Sequence, residues 1–367
     1  MSLEWRARSN SLAWSNPLAW WWGLLTLVSA ANIAVWFWLH HQLQEQPTGG
    51  YGGTSGIELM LLLCAAYVFG CAFRSFLPRA DVQRICLFDH WLSSVVVGRS
   101  VATVAEICFA AQWAIILHQL GTMTGADTTL NAAWVIVPLI LIAECFSWYA
   151  VLTTHYLGNA IENSIWAVAF FFIGIGLCRL LPEFDGPVRV VLAISIIGIV
   201  GYLAFLMTID VPMYLSRWRA NVADGSELLR PLEGLRDVST RWVVTHDLAE
   251  WKGEITWMSL YFSAAVWASL ALCVFYSLED HLPRYRTEAT VASWSSDAPA
   301  GRFHPAEHSY PASDVATTAW FSPKTSIPRD GTWLAFASAA TNEGRRAGND
   351  KLLLQSGYIE HEERRLQ

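Results

Sequence analysis

Three acidic residues sit where a polypeptide rarely puts charge. Glu106, Glu144 and Asp210 each fall within a long apolar run. An ionisable side chain in such a run is costly to desolvate, and it is retained mainly where it binds, moves protons or pairs with another group. A second set stands at the head of another run: His155, Asn159, Glu162 and Asn163. His155, Asn159 and Glu162 follow at i, i+4 and i+7, which puts them on one face of a helix that starts early enough. With no Lys or Arg evident beside them, these carboxylates favour a cation or a proton. The competing reading is structural. In it the same groups hydrogen-bond helices together, Asn159 and Asn163 cap a helix start, and Asp210 is wetted at an interface.

Other chemistries find less support. One histidine, His155, with Glu162 and scattered carboxylates is too poor a donor set to predict a metal site. His40 and His41 end the first apolar run and read as interfacial residues. No pair of mid-run histidines is available to hold a haem. The last apolar run has neither the lysine of a retinal Schiff base nor the histidines of seven-helix zinc amidases. GxSxG, HExxH and Walker loops are absent. No catalytic residue and no cofactor is therefore assigned.

The elements that must carry these residues are apolar runs at about 17–40, 57–76, 101–120, 131–152, 163–181, 188–211 and 256–278. Each is long enough to cross a bilayer as a helix. The predicted fold is an all-α, polytopic integral membrane bundle of about seven transmembrane helices. Residues 84–97 add an interfacial amphipathic helix, since Ile85, Phe88, Leu92, Val95 and Val96 recur at helical spacing and Asp81 is placed to cap it. Gly98 and Arg99 mark the bend into the third span, and Pro212 ends the sixth. Residues 1–16 form the N-terminus, which reads as part of a retained signal anchor, and 212–255 a polar loop. The seventh helix has room to start near Thr245. Residues 282–367 form a polar, low-complexity, largely irregular tail, with space for a short helix near Leu352.

Composition agrees. Of 367 residues, 54% are hydrophobic and 15% charged, against about 25% charged in an ordinary soluble domain. Mean hydropathy is +0.33. The 20 Trp suit a chain with two membrane interfaces. A net charge of −7 argues against nucleic-acid binding. The seven cysteines form no metal or redox spacing and read as buried hydrophobes.

Lys and Arg gather before the first span, after the second and in 212–255, and are missing after the first and third. This predicts an N-terminus in the cytoplasm, a tail on the opposite side, and residence in a plasma or inner membrane. Arg179 and Arg189 run against it. With this topology Glu106 lies about 8 Å and Glu144 about 13 Å from the inner ends of their spans. His155, Asn159, Glu162 and Asp210 fall in the same half. The expectation is a cytoplasm-facing acidic cavity with Glu144 at its bottom, serving transport, ion or proton passage, or sensing. An accessory subunit of a membrane complex is the alternative. It would contact lipids and other membrane proteins through small-residue faces (Ala66 with Gly70, Gly198 with Gly201) and tail aromatics (Trp294, Trp320, Phe321, Trp333). A lipid-modifying intramembrane enzyme is a third reading, without a visible nucleophile–base pair.

Overall fold

The computed structural model describes residues 15–44, 53–225 and 227–277. The N-terminal arginines, the glycine-rich stretch around residue 50 and the tail from 282, with its four aromatics and the region near Leu352, lie outside the described residues.

Among these residues, seven helices are long and apolar enough to cross a membrane. The first five are α1 (Pro17–Gln44), α2 (Gly53–Phe76), α3 (Val95–Thr124), α4 (Asp127–Thr153) and α5 (Tyr156–Leu180). The sixth is compound: α6 (Gly186–Phe205), a π turn (Leu206–Asp210) and α7 (Val211–Ala223). The seventh is built likewise, from α9 (Leu248–Leu260), a π turn (Tyr261–Ala265) and α10 (Val266–Ser277), and a short α8 (Pro231–Thr240) precedes it. All seven apolar runs thus become helices, mostly longer at one or both ends than the runs themselves. Large aliphatic side chains such as Ile197, Leu27 and Leu62 point outward, as expected of surfaces that meet hydrocarbon rather than water.

Packing runs α1 on α2, α2 on α3, α3 on α4, α4 on α5 and α5 on α6, with α10 against α2 and α3. Close approach of α2 and α3 depends on Gly70, where a Cβ would lie 2.9 Å from that of Ala105. The buried Tyr67 and Phe109 rings stack across this contact at 4.5 Å. Asn32 of α1 donates to the Phe262 carbonyl, at 3.1 Å, within the π turn of the seventh span. At Gly198 and Gly201 an added Cβ would meet no atom within 4 Å among the described residues.

Two expectations fail. Residues 84–94 form no α-helix. Arg84 adopts a left-handed φ of 61°, which ends any α-helix there. Its side chain holds that conformation through Asp237 (2.8 Å) and the Val151 carbonyl (2.6 Å). The apolar residues instead feed a small sheet. β1 (Arg79–Ala80) pairs antiparallel with β2 (Ile85–Cys86), and β2 pairs parallel with β3 (Val243–Val244). A single 3-10 turn, Trp91–Ser93, then leads to α3. Asp81 caps nothing and pairs with Arg79 and Arg74. Second, Pro212 does not end the sixth span. The π turn bonds the Val211 N–H to the Leu206 carbonyl, and this wider register lets the proline ring enter at the start of α7.

The sheet joins the connections after the second and sixth spans. Leu229 N–H also bonds the Thr153 carbonyl at 3.3 Å, and Asn16 bonds the His246 carbonyl at 2.8 Å. The start of the first span and the connections after the second, fourth and sixth therefore share one end of the bundle, the sheet end.

Candidate functional site

Four side chains from three helices converge just inside the sheet end. Arg99 leaves α3 about 6 Å from its start, Glu162 leaves α5 about 9 Å from its start, and Glu144 lies about 13 Å from the end of α4. Glu106 is deeper, about 16 Å along α3. The long Arg99 side chain closes the difference. Its Nη2 lies 2.9 and 2.8 Å from the two Glu144 oxygens, and 3.4 Å from both Glu106 Oε2 and Glu162 Oε1. Thr103 donates its hydroxyl to Glu144, and Trp148 donates to Thr103 at 3.0 Å. Asn159 donates to Glu162 at 3.1 Å. All four charged groups are buried.

Arg99 corrects the expectation that these carboxylates lack a basic partner. Its expected place at a bend puts it outside the third span. The helix in fact begins at Val95, which puts Arg99 seven residues before Glu106 on the same face. That spacing was the available signal. One oxygen from each of Glu106, Glu144 and Glu162 lies within 4.8 Å of the others, a separation suited to a cation. The Arg99 nitrogen stands among them, so a metal would need Arg99 to withdraw.

The centre borders a cavity of about 690 Å³, which Arg99, Glu106, Asn159, Glu162 and Asp210 help to line. Glu144 is not in the lining. It backs Arg99 from behind rather than forming the cavity floor as expected. Asp210, the last residue of the π turn in the sixth span, is buried. It lines the cavity and has no hydrogen-bond or ion-pair partner among the described residues. With the helix running on to Ala223, Asp210 is some 20 Å from its end. His155 does not join the group. It precedes α5, where its ring meets Tyr149 edge-on at 5.9 Å, and burial holds its pKa below the usual value.

Two ionic clusters flank the cavity at the sheet end. Glu254 of α9, buried, accepts from Gln83 (2.8 Å), Arg217 (2.8 Å) and Trp257 (2.6 Å). It falls in the polar stretch 212–255, outside the apolar runs, although the seventh helix, with room to start near Thr245, begins at Leu248 and carries it. Asp81 accepts from Arg79 Nε at 3.0 Å and pairs with Arg74 Nη2 at 3.5 Å. Burial pushes the Asp81 carboxyl upward, but Arg74, Arg79, Arg99 and Arg84 outweigh it and hold its pKa below the usual carboxylate value. Burial likewise lowers Arg79 to about 10 against the pull of Asp81. Arg79 reaches this position through a notch at Gly98, where its guanidinium occupies the space a Cβ would need, and it bonds the Ser94 carbonyl at 2.5 Å.

Chemically, the centre can store protons. Three carboxylates around one guanidinium, out of water, cannot all be ionised without a large desolvation cost, so they titrate as one coupled unit. Comparison with known protein families, with characterised proteins and with solved structures finds no match to this chain.

Proposed function

We propose that the chain is a multi-pass membrane protein that passes protons or small cations through the Arg99 centre, in transport or in sensing. The reading is carried by one observation: a single guanidinium nitrogen serves three buried carboxylates. The remaining negative charge calls for a proton or a cation, and the adjoining cavity offers a route for it. The basic residues favour the sheet end as the cytoplasmic one. Arg219, Arg230, Arg236 and Arg241 lie in or beside α7 and α8 at that end, and the N-terminal Arg6 and Arg8 precede a span that begins there. The cavity then faces inward and the chain ends on the opposite side of a plasma or inner membrane.

The test is flux. The full chain is reconstituted in liposomes carrying an internal pH dye, and a potassium diffusion potential is imposed. Proton entry above that of empty liposomes is expected, with Glu144→Gln and Glu162→Gln each abolishing it. Flux unaltered in both variants would discard the reading.

A further inference from the structure

The cavity runs on beyond the ionic centre, between the sixth and seventh spans. The two spans meet at the sheet end, where Arg217 of α7 bonds Glu254 of α9 at 2.8 Å, but away from it α6 rests on α5, and α10 rests on α2 and α3. Small residues stand among larger ones on both sides of the gap. Ser195 and Gly198 lie on one side and Ala264, Ala268 and Ala271 on the other, all in the cavity wall. At Gly198 an added Cβ would meet nothing within 4 Å. Each of the two helices also carries a π turn beside the cavity, Leu206–Asp210 and Tyr261–Ala265, a feature that recurs at functional sites. The result is a slot that is apolar along its length and charged at the sheet end.

The charge has a sign. Five carboxylates in the lining (Asp81, Glu106, Glu162, Asp210, Glu254) face Arg74 and Arg99 in the lining and Arg79 and Arg217 bonded to Asp81 and Glu254 from behind it. Four of the five carboxylates are engaged by Arg, Trp or Gln donors. Asp210 is not: it is 7% exposed, lines the cavity and makes no hydrogen bond or ion pair among the described residues, though Arg217, bonded to Glu254, attracts it from further off. Tyr202 and Tyr214 of the same span are in the same wall. A carboxylate with aromatic faces nearby suits an ammonium group. An ionised Asp210 would repel an anionic head.

We propose that the slot between the sixth and seventh spans admits a membrane-dissolved amphiphile with an ammonium head, which pairs with Asp210 while its chain lies along Gly198 and Ala268. This deepens the reading above by naming a ligand class. It rests on membrane placement, and it stands or falls separately from proton flux.

The test is a titration of the full chain in neutral-lipid nanodiscs with bromine-tagged dodecyltrimethylammonium, read as quenching of tryptophan fluorescence. Saturable quenching is expected. Asp210→Asn should weaken it by about tenfold or more. Gly198→Phe, which fills the slot without touching the head site, should weaken it comparably, so the test survives if one variant fails to fold. Tetramethylammonium should compete at least about tenfold less well, since it buries no chain. Equal competition by dodecyl sulfate, or unchanged affinity in both variants, overturns the proposal. Binding lost with flux intact removes the amphiphile and spares the proton; binding intact with no flux does the reverse.

Discussion

Arg99 Nη2 stands 2.8 Å from Glu144 Oε2. The two residues leave neighbouring antiparallel helices, and each is buried beneath its own helix surface. Their contact organises the interior near the sheet end, because Glu106 and Glu162 reach the same nitrogen and Thr103 reaches the same carboxylate. One residue thereby ties α3, α4 and α5 together.

Removing that residue should be costly. Arg99→Met leaves three buried carboxylates without their cation, and the loss should be about 3–5 kcal/mol. Thermal unfolding of the purified protein in detergent measures it. Adding Glu144→Gln to Arg99→Met should recover part of the loss, because less charge is then left unpaired. A double variant no more stable than Arg99→Met would mean that the arginine acts through packing instead.

Asp81 gives a pH dependence of known sign. Its folded pKa lies below the ordinary value of 3.8, so its ion pairs contribute fully above that value. The contribution fades as pH falls through the lower folded value. Asp81→Asn should therefore destabilise the protein by about 1–3 kcal/mol at neutral pH. The gap to the parent should narrow below about pH 4. Denaturation series at several pH values would show it, and a gap that widens on acidification contradicts the assignment.

Gly98 should tolerate no side chain. A Cβ there would occupy the place of the Arg79 guanidinium, which would have to leave Asp81 and the Ser94 carbonyl. Gly98→Ala should cost about 2–4 kcal/mol, despite the better helix propensity of alanine. If unfolding measurements find Gly98→Ala neutral or stabilising, Arg79 is not anchored as described.

Topology can be read by labelling. Leu232 in α8 is 84% exposed at the sheet end, and the Asp185 side chain is 98% exposed before α6. Cysteines introduced at these positions, with Cys145 and Cys178 replaced, should react with a membrane-impermeant maleimide from opposite faces. Leu232→Cys should be reached from the cytoplasmic side and Asp185→Cys from the other. Labelling of both from one face would refute the alternation of spans.

The amino-acid order alone determined the helices. Apolar runs of about twenty residues must satisfy their backbone bonds internally in hydrocarbon, so their number and approximate places follow from composition along the chain. It also marked Glu106, Glu144 and Asp210, because carboxylates in such runs are rare, and Glu162 through its helical spacing from His155 and Asn159 at the head of a run. Their partner was hidden by a helix boundary: Arg99 lies where apolarity has faded but the helix has already begun at Val95. Residues 84–94 misled for a related reason, since a helical apolar period also fits a hairpin once Arg84 turns left-handed to reach Asp237 and Val151. Only tertiary packing decided the rest. Helices with apolar surfaces all round carry little record of which face meets which neighbour. The meeting of Arg99 with Glu144, the gap between α6 and α10 and the burial of Asp210 in the cavity wall all arise from contacts between residues distant in the chain.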